Sequence, residues 1–198
     1  MPEFSTRDPR SPDFWDERFE QGFTPWDRGG VPQALRDFVA ASPRPLATLI
    51  PGCGAARELV LLREAGWDAT AIDFSPAAVA TARALAGPHA QHVVEADFFL
   101  WQPAQPLQLI YEQAFLCAMP PVMWPQVAAR WARLLPSGAL LAGYFFFDDG
   151  PKGPPFGITR PALQALLQTD FVCVADDAVV DSIAVFAGKE RWMAWRRR

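Results

Sequence analysis

A turn with two glycines follows the first apolar run of the chain and constrains the fold more than any other segment. The run Leu46–Ile50 leads into Pro51-Gly52-Cys53-Gly54, and a helical pattern begins directly afterwards. Glycine lets the backbone approach a ligand that any Cβ atom would hold away. Asp73 closes the next apolar run nineteen positions after Gly54, where a carboxylate can accept hydrogen bonds from both hydroxyls of a ribose. The pattern predicts a strand–helix–strand unit that binds a nucleotide-type cofactor.

Strand and helix patterns alternate from residue 46 onward. Apolar strands separated by helices are typical of a parallel sheet that helices cover on both faces. We therefore predict an α/β fold with a mostly parallel sheet of seven strands. No helix separates the last two strands, so they should form an antiparallel hairpin at the sheet edge. The predicted strands are 46–50, 69–72, 92–95, 107–112, 139–147, 171–175 and 189–196.

The length of 198 residues suits a single domain, which we place at residues 11–198 after a mobile N-terminus at 1–10. Two helical patterns within 11–44 have no strand partner. The first begins at Ser11-Pro12-Asp13, and Pro32 opens the second. We expect these helices to form a lid over a core at 45–198.

Composition excludes several classes of function. The net charge is −4 and the one basic cluster is Arg196-Arg197-Arg198, so we expect no nucleic-acid partner. Three cysteines without a CxxC pair indicate reduced thiols in the cytoplasm and predict no metal site. No apolar run approaches the roughly 20 residues of a membrane span, and no signal peptide is apparent. We therefore expect a cytoplasmic protein with no membrane partner.

The glycine turn favours one cofactor over another. A dinucleotide fingerprint needs a small third residue for close helix packing, and Arg57 stands there. Asp97 follows the third strand, where it could accept from an adenine amino group while Phe98 packs on the ring. Asp73 could instead cap the helix that starts at Pro76, although Ser75 suits that role better. These features and the edge hairpin favour S-adenosylmethionine (SAM) over NAD(P), and an NAD(P)-dependent oxidoreductase stays open as an alternative.

A wider set of motifs carries a resemblance to a known family. In chain order they are Phe14-Trp15, Phe19, Thr24-Pro25-Trp26-Asp27, Gly29, Pro51-Gly52-Cys53-Gly54, Asp73-Phe74-Ser75, Asp97 and Gly153-Pro154-Pro155-Phe156. Together they resemble the thiopurine S-methyltransferase superfamily, most of all its thiol and halide (thiocyanate) methyltransferase branch. The resemblance implies a Rossmann-like methyltransferase fold with an N-terminal lid over SAM.

The resemblance also assigns roles by position. Trp15, Phe19 and Trp26 would line the methionine and sulfonium end of the cofactor. Gly52 would contact its backbone, Asp73 its ribose, and Asp97 with Phe98 its adenine. Gly54, Phe74 and Gln113 complete the predicted cofactor site. The predicted substrate pocket consists of Trp26, Phe115, Tyr144 and Phe156.

The acceptor does not follow from the resemblance. This chain has Asp73 and Gln113 where the thiopurine branch carries Glu and Arg, and Phe19, Gln113 and Phe156 where the thiol and halide branch has Trp, Tyr and Tyr. A thiolate or halide needs no general base, and no histidine lies in a motif. We predict a small-molecule thiol, halide or metalloid acceptor for a monomer or weak homodimer, with Tyr144 and Asp148 as candidate catalytic residues. A domain that only binds or senses SAM is the second alternative.

Overall fold

The computed structural model describes residues 3–198, and its centre is one seven-stranded sheet. The strands lie in the order β3-β2-β1-β4-β5-β7-β6. Their bounds are β1 Thr48–Pro51, β2 Ala69–Asp73, β3 Val93–Glu95, β4 Leu109–Gln113, β5 Leu140–Phe146, β6 Phe171–Ala178 and β7 Glu190–Arg197. The helices are α1 Pro12–Glu20, α2 Gln33–Ala41, α3 Arg57–Glu64, α4 Pro76–Ala86, α5 Trp124–Leu134 and α6 Arg160–Leu167.

Strands β1 to β5 run parallel, and the order reverses beside β1. The chain moves from β1 outward to β2 and β3, and then crosses back to place β4 on the other side of β1. In such a sheet the crevice for a ligand lies beyond the carboxyl ends of the strands at this reversal. The glycine turn leaves β1 at this point.

The C-terminal strands confirm the predicted edge hairpin. Strand β7 is antiparallel to β5 on one side and to β6 on the other, so the last strand lies inside the sheet and β6 forms its edge. Strand β6 runs three residues further than predicted, to Ala178, with a register shift between Cys173 and Ala175. Most of its residues are exposed, which is why the apolar pattern ends before the strand does.

Each face of the sheet carries its own core cluster. Neighbouring residues of a strand point to opposite faces, and β1 follows this rule: Leu49 packs in one cluster and Ile50 in the other. Helices α5 and α6 cover the first face, with Trp131 and Leu163 buried there. Helices α3 and α4 cover the second, and α2 joins them through the fully buried Leu35.

The N-terminal segment contacts the core through polar bonds. Asp16 of α1 accepts hydrogen bonds from the Ser75 hydroxyl at 2.6 Å and from the Ala77 N–H at 3.0 Å, at the start of α4. Residues 5 and 6 donate to Glu17, so the described part of 1–10 lies against α1. Residues 1 and 2 lie outside the described residues. The predicted division into a mobile end, a lid and a core stays a prediction.

No helix among residues 3–198 combines the length and the apolar character needed to cross a bilayer.

The pairing of β4 with β5 depends on Gly143. Its φ is +152°, and a Cβ atom there would lie 1.8 Å from the carbonyl oxygen of Glu112 on the neighbouring strand. We expect Gly143→Ala to lower the free energy of unfolding by more than about 3 kcal/mol, because the two central strands must move apart. Urea unfolding followed by circular dichroism measures this loss. Gly30→Ala is the control, since a Cβ at Gly30 has nothing within 4 Å; equal stability of the two variants would contradict the argument.

Candidate active site

A cavity of about 610 Å³ opens at the carboxyl ends of β1, β2 and β4, within the range of small-molecule sites. Its floor is the glycine turn and the loop after β4, and α1 with the following loop covers it. Segments 153–155 and 185–186 close the far side. The lining includes all ten residues predicted to bind the cofactor: Trp15, Phe19, Trp26, Gly52, Gly54, Asp73, Phe74, Asp97, Phe98 and Gln113.

The turn after β1 needs glycine for reasons of conformation and of space. Gly52 and Gly54 have φ of +56° and +50°, a region that side chains rarely adopt. A Cβ at Gly52 would lie 2.5 Å from Cδ2 of Phe115 in the loop after β4. The backbone of the turn can therefore approach a ligand, as the sequence predicts.

Asp73 ends β2 with a carboxyl group that is oriented by the backbone. Its Oδ2 accepts from the N–H of Gly54 at 3.0 Å, and its Oδ1 accepts from the N–H of Ser75 at 3.0 Å. Burial raises the pKa of Asp73, and these hydrogen bonds oppose the rise. Ser75 caps α4 by accepting from the Ala78 N–H, so Asp73 does not act as the cap. Each carboxyl oxygen keeps a lone pair for a ribose hydroxyl.

Asp97 and Phe98 lie at the β3 end of the cavity. Asp97 is exposed, and its Oδ1 accepts from the Phe99 N–H at 2.7 Å, which leaves its other oxygen for a ligand. Phe98 is buried and packs edge-on against Phe115, with ring centroids 4.9 Å apart. A planar base therefore has an aromatic wall and a hydrogen-bond acceptor at this end.

Three aromatic residues of the N-terminal segment cover the glycine turn. Trp26 packs edge-on against Trp15 at 5.4 Å and against Phe19 at 6.1 Å between centroids. The ring of Phe19 reaches to 3.4 Å from the position that a Cβ would take at Gly54. Faces of such rings attract a cation by about 0.5–2 kcal/mol.

Two ion pairs hold the loop after α1. Arg57 donates from Nε and Nη2 to the two carboxyl oxygens of Asp27, at 2.9 and 3.0 Å. Burial opposes the ionisation of Asp27, yet these bonds lower its pKa. Arg28 donates from Nη1 to Oδ2 of Asp181 at 2.8 Å, in the segment between β6 and β7. The loop is thus attached on both sides of the cavity.

The end of β4 contributes an oriented amide and a buried acid. The hydroxyl of Tyr111 donates to Oε1 of Gln113 at 2.5 Å, so the amide nitrogen of Gln113 is left for the cavity that this residue lines. Glu112 points away, and its carboxyl accepts from the N–H groups of Phe115 and Leu116 at 3.1 Å. That carboxyl fixes the loop that carries Phe115.

Three predicted residues, Tyr144, Asp148 and Phe156, are not among the residues that line the cavity, so their predicted roles stay predictions. Tyr144 shares a sheet face with Ala142 and packs against Trp192 at 5.3 Å, below the strand end. The carboxyl group of Asp148 accepts a hydrogen bond from Nζ of Lys189 at 2.8 Å. The ring of Phe156 folds back onto Gly153, so that only the Gly153-Pro154-Pro155 part of the motif reaches the cavity. Phe115 and Trp26, the other two residues predicted for the substrate pocket, line the cavity.

Several lining residues escaped the sequence analysis, namely Arg28, Glu58, Tyr111, Met119, Met123, Val185 and Phe186. The Arg28 side chain is only 10% exposed, and Phe186 is buried against Cys117 and Phe146. No local pattern marks these positions, because tertiary contacts bring them to the site. Cys53 and Cys117 also line the cavity, and burial raises the pKa of both thiols well above the ordinary range.

Comparison with known proteins decides the family. A model of the thiopurine S-methyltransferase family matches residues 10–198. The chain belongs to the thiopurine S-methyltransferase family. It is 30% identical to thiocyanate methyltransferase 1 of Brassica oleracea over 190 residues, which cover 92% of this chain and 84% of that one. It is 32% identical to a probable thiol methyltransferase 2 of Arabidopsis thaliana over 159 residues, 77% of this chain and 70% of that one.

A solved structure agrees with the fold. The Burkholderia thailandensis 1,6-didemethyltoxoflavin-N1-methyltransferase, with bound S-adenosylhomocysteine (SAH), superimposes with a TM-score of 0.74 at 19% identity, over 99% of this chain and 93% of that chain. The predicted family, branch and Rossmann-like methyltransferase fold are confirmed. This family member is a SAM-dependent methyltransferase. The alternative of an NAD(P)-dependent oxidoreductase is therefore excluded.

The Asp27–Arg57 pair should support cofactor binding, because it fixes the loop that carries Trp26. For a bidentate pair that is partly buried, we expect Asp27→Asn to weaken SAH binding about fivefold. Isothermal titration calorimetry gives the dissociation constant. Asp68→Asn is the control, since it breaks the Arg63–Asp68 pair outside the cavity. An effect of equal size in both variants would show that the Asp27–Arg57 pair has no specific role in cofactor binding.

Buried Glu112 should make stability depend on pH. Burial raises its pKa from 4.5 to about 8, so the folded protein holds a proton that the unfolded chain releases between these values. Stability should therefore fall as pH rises from about 5 to 8. Glu112→Gln keeps an acceptor oxygen, and we expect its loss over this range to be smaller by at least about 1 kcal/mol. Urea unfolding at several pH values tests this, and parallel curves for the two proteins would refute it.

Proposed function

We propose that this methyltransferase transfers the methyl group of SAM to a small soft nucleophile, a thiol or a thiocyanate- or halide-type anion. The observation that carries the proposal is a cavity lined by apolar residues together with the oriented amide of Gln113. Phe186, Val185 and Cys117 form the apolar part beside Trp26. Gln113 supplies the donor, since Tyr111 occupies its amide oxygen. The names of the relatives, thiocyanate and thiol methyltransferases, support the same class.

The cavity residues fit SAM along one line. Asp97 and Phe98 would hold adenine, Asp73 the ribose, and Gly52 with Gly54 the chain that leads to the sulfur. Bound SAM supplies a methyl group already activated by a sulfonium. Trp15, Phe19 and Trp26 would place ring faces near that charge.

The protein then has little chemistry to perform beyond alignment. An in-line displacement needs the nucleophile, the methyl carbon and the leaving sulfur held in one line, and such positioning lowers the activation barrier. The loop held by Asp27 and Arg28 would exclude water, which makes a small anion a stronger nucleophile. Gln113 would donate a hydrogen bond to the anion, and a thiol would enter as the thiolate after losing its proton to water. A thiolate or halide requires no base, so this arrangement suffices.

Direct assay of acceptors tests the proposal. Purified protein is incubated with SAM and with hydrosulfide, an alkyl thiol, thiophenol, thiocyanate, iodide, 6-mercaptopurine or a primary amine, and SAH formation is measured. We expect the highest kcat/KM for a small thiol or soft anion, because the donor and the apolar walls suit a compact polarisable group. A higher kcat/KM for the amine would overturn the acceptor class.

The matched control is Asp73→Asn, whose amide puts a donor against the N–H groups of Gly54 or Ser75. This variant should lose SAH binding and turnover together. Turnover that survives at the original level comes from a contaminating enzyme and would not support the proposal.

A further inference from the structure

Glu58 is a buried acid of the cavity without an external partner. It lies in the first turn of α3, four residues after Gly54, and is only 8% exposed. The residue lines the cavity. Its carboxyl group accepts from its own backbone N–H and from no other described residue. A buried carboxylate with so few hydrogen bonds is costly unless a proton or a cation meets it.

Neither neighbouring arginine hydrogen-bonds to Glu58, although the charges of both lower its pKa. Arg57 directs two donors to Asp27, and Arg28 directs both Nη groups to Asp181, by the side chain at 2.8 Å and the carbonyl at 3.1 Å. The other titratable groups that face Glu58 are Asp27, Tyr111 and Cys53. Burial dominates, and it raises the pKa of Glu58 to about 7.

The geometry of the cavity places Glu58 beside the cofactor's tail. Adenine near Asp97 lies beyond β3, and ribose at Asp73 lies beyond β2. The chain that leaves the ribose must continue across β1 toward β4, past Gly52 and Gly54, because the strands follow one another in this order. The first turn of α3 follows that glycine turn directly. The tail of SAM and SAH ends in an amino acid, whose ammonium is a strong hydrogen-bond donor.

We propose that Glu58 is the ammonium subsite of the cofactor: its carboxylate accepts hydrogen bonds from the α-amino group of SAM and of SAH. This inference rests on SAM binding and deepens the proposed function without depending on the acceptor. The ammonium replaces the proton that a buried carboxyl otherwise holds, so binding releases a proton from Glu58. At pH 7 the release is about half a proton per site, given a pKa of about 7 in the free protein.

The test compares two ligands on three proteins by isothermal titration calorimetry. SAH carries the amino-acid tail, whereas 5′-methylthioadenosine ends at the thioether and lacks it. The proteins are the wild type, Glu58→Gln and the control Glu64→Gln, whose residue is exposed at the end of the same helix. Titrations at pH 7 in buffers of different ionisation enthalpy count the protons released.

We expect Glu58→Gln to weaken SAH at least about tenfold, since an amide loses a charge-assisted hydrogen bond. Its affinity for 5′-methylthioadenosine should stay within about twofold of the wild type, and proton release on SAH binding should vanish. Glu64→Gln should match the wild type throughout. Glu58→Asp, which keeps the charge on a shorter side chain, should retain proton release with intermediate affinity.

Equal weakening of both ligands by Glu58→Gln would assign the residue a structural role and overturn the proposal. Unchanged SAH affinity with lost thiol turnover would make Glu58 a proton acceptor for the substrate, which also overturns it. A wild type that binds SAH with proton release but methylates no thiol refutes the acceptor class and leaves the ammonium subsite standing. A wild type that binds neither ligand refutes both.

Discussion

The cavity depends on the fact that residue 52 is glycine and has no side chain. A Cβ there would lie 2.5 Å from the ring of Phe115, so the turn after β1 and the loop after β4 can meet only at a glycine. Glu112 fixes the second partner of this contact, because its buried carboxyl holds the N–H groups of Phe115 and Leu116. Both elements leave the sheet where the strand order reverses. The floor of the site is therefore set before any ligand binds, and the contacts of the loop above it determine how the cavity closes.

That loop explains why Arg57 departs from the dinucleotide fingerprint. A small residue at the third position lets helix and strand pack closely. Here Ala56 takes a positive φ of 50°, and α3 begins only at Arg57. The arginine turns outward to Asp27, while the adjacent Arg28 binds Asp181 across the cavity. Two consecutive residues of opposite charge thus attach one loop to both walls. The neighbouring Trp26 packs against Trp15 and Phe19 beside the glycine turn.

The sequence predicted those parts of the site that depend on local pattern. Gly52 and Asp73 are fixed by the ends of two parallel strands, and their spacing carries that information. Tyr144 was assigned to the substrate pocket because it lies near the end of β5, but alternation along the strand turns its side chain to the sheet face where it packs against Trp192. Phe156 was assigned to the same pocket from the resemblance, whereas its ring lies against Gly153 in the same loop. In the sequence Glu58 resembles an ordinary acidic residue in the first turn of a helix. Its burial depends on tertiary packing, which the local pattern does not show.

Two buried carboxyls line this site and a third, Glu112, lies behind it, and their partners differ. Asp73 and Glu112 each accept hydrogen bonds from two backbone N–H groups of other residues, whereas Glu58 has only its own. An ionised Glu58 would repel an anionic acceptor, because charges interact strongly where water is excluded. If Glu58 binds the ammonium of SAM, that repulsion is cancelled before the acceptor enters. A cavity that must admit an anion beside a buried carboxylate therefore favours cofactor first and acceptor second.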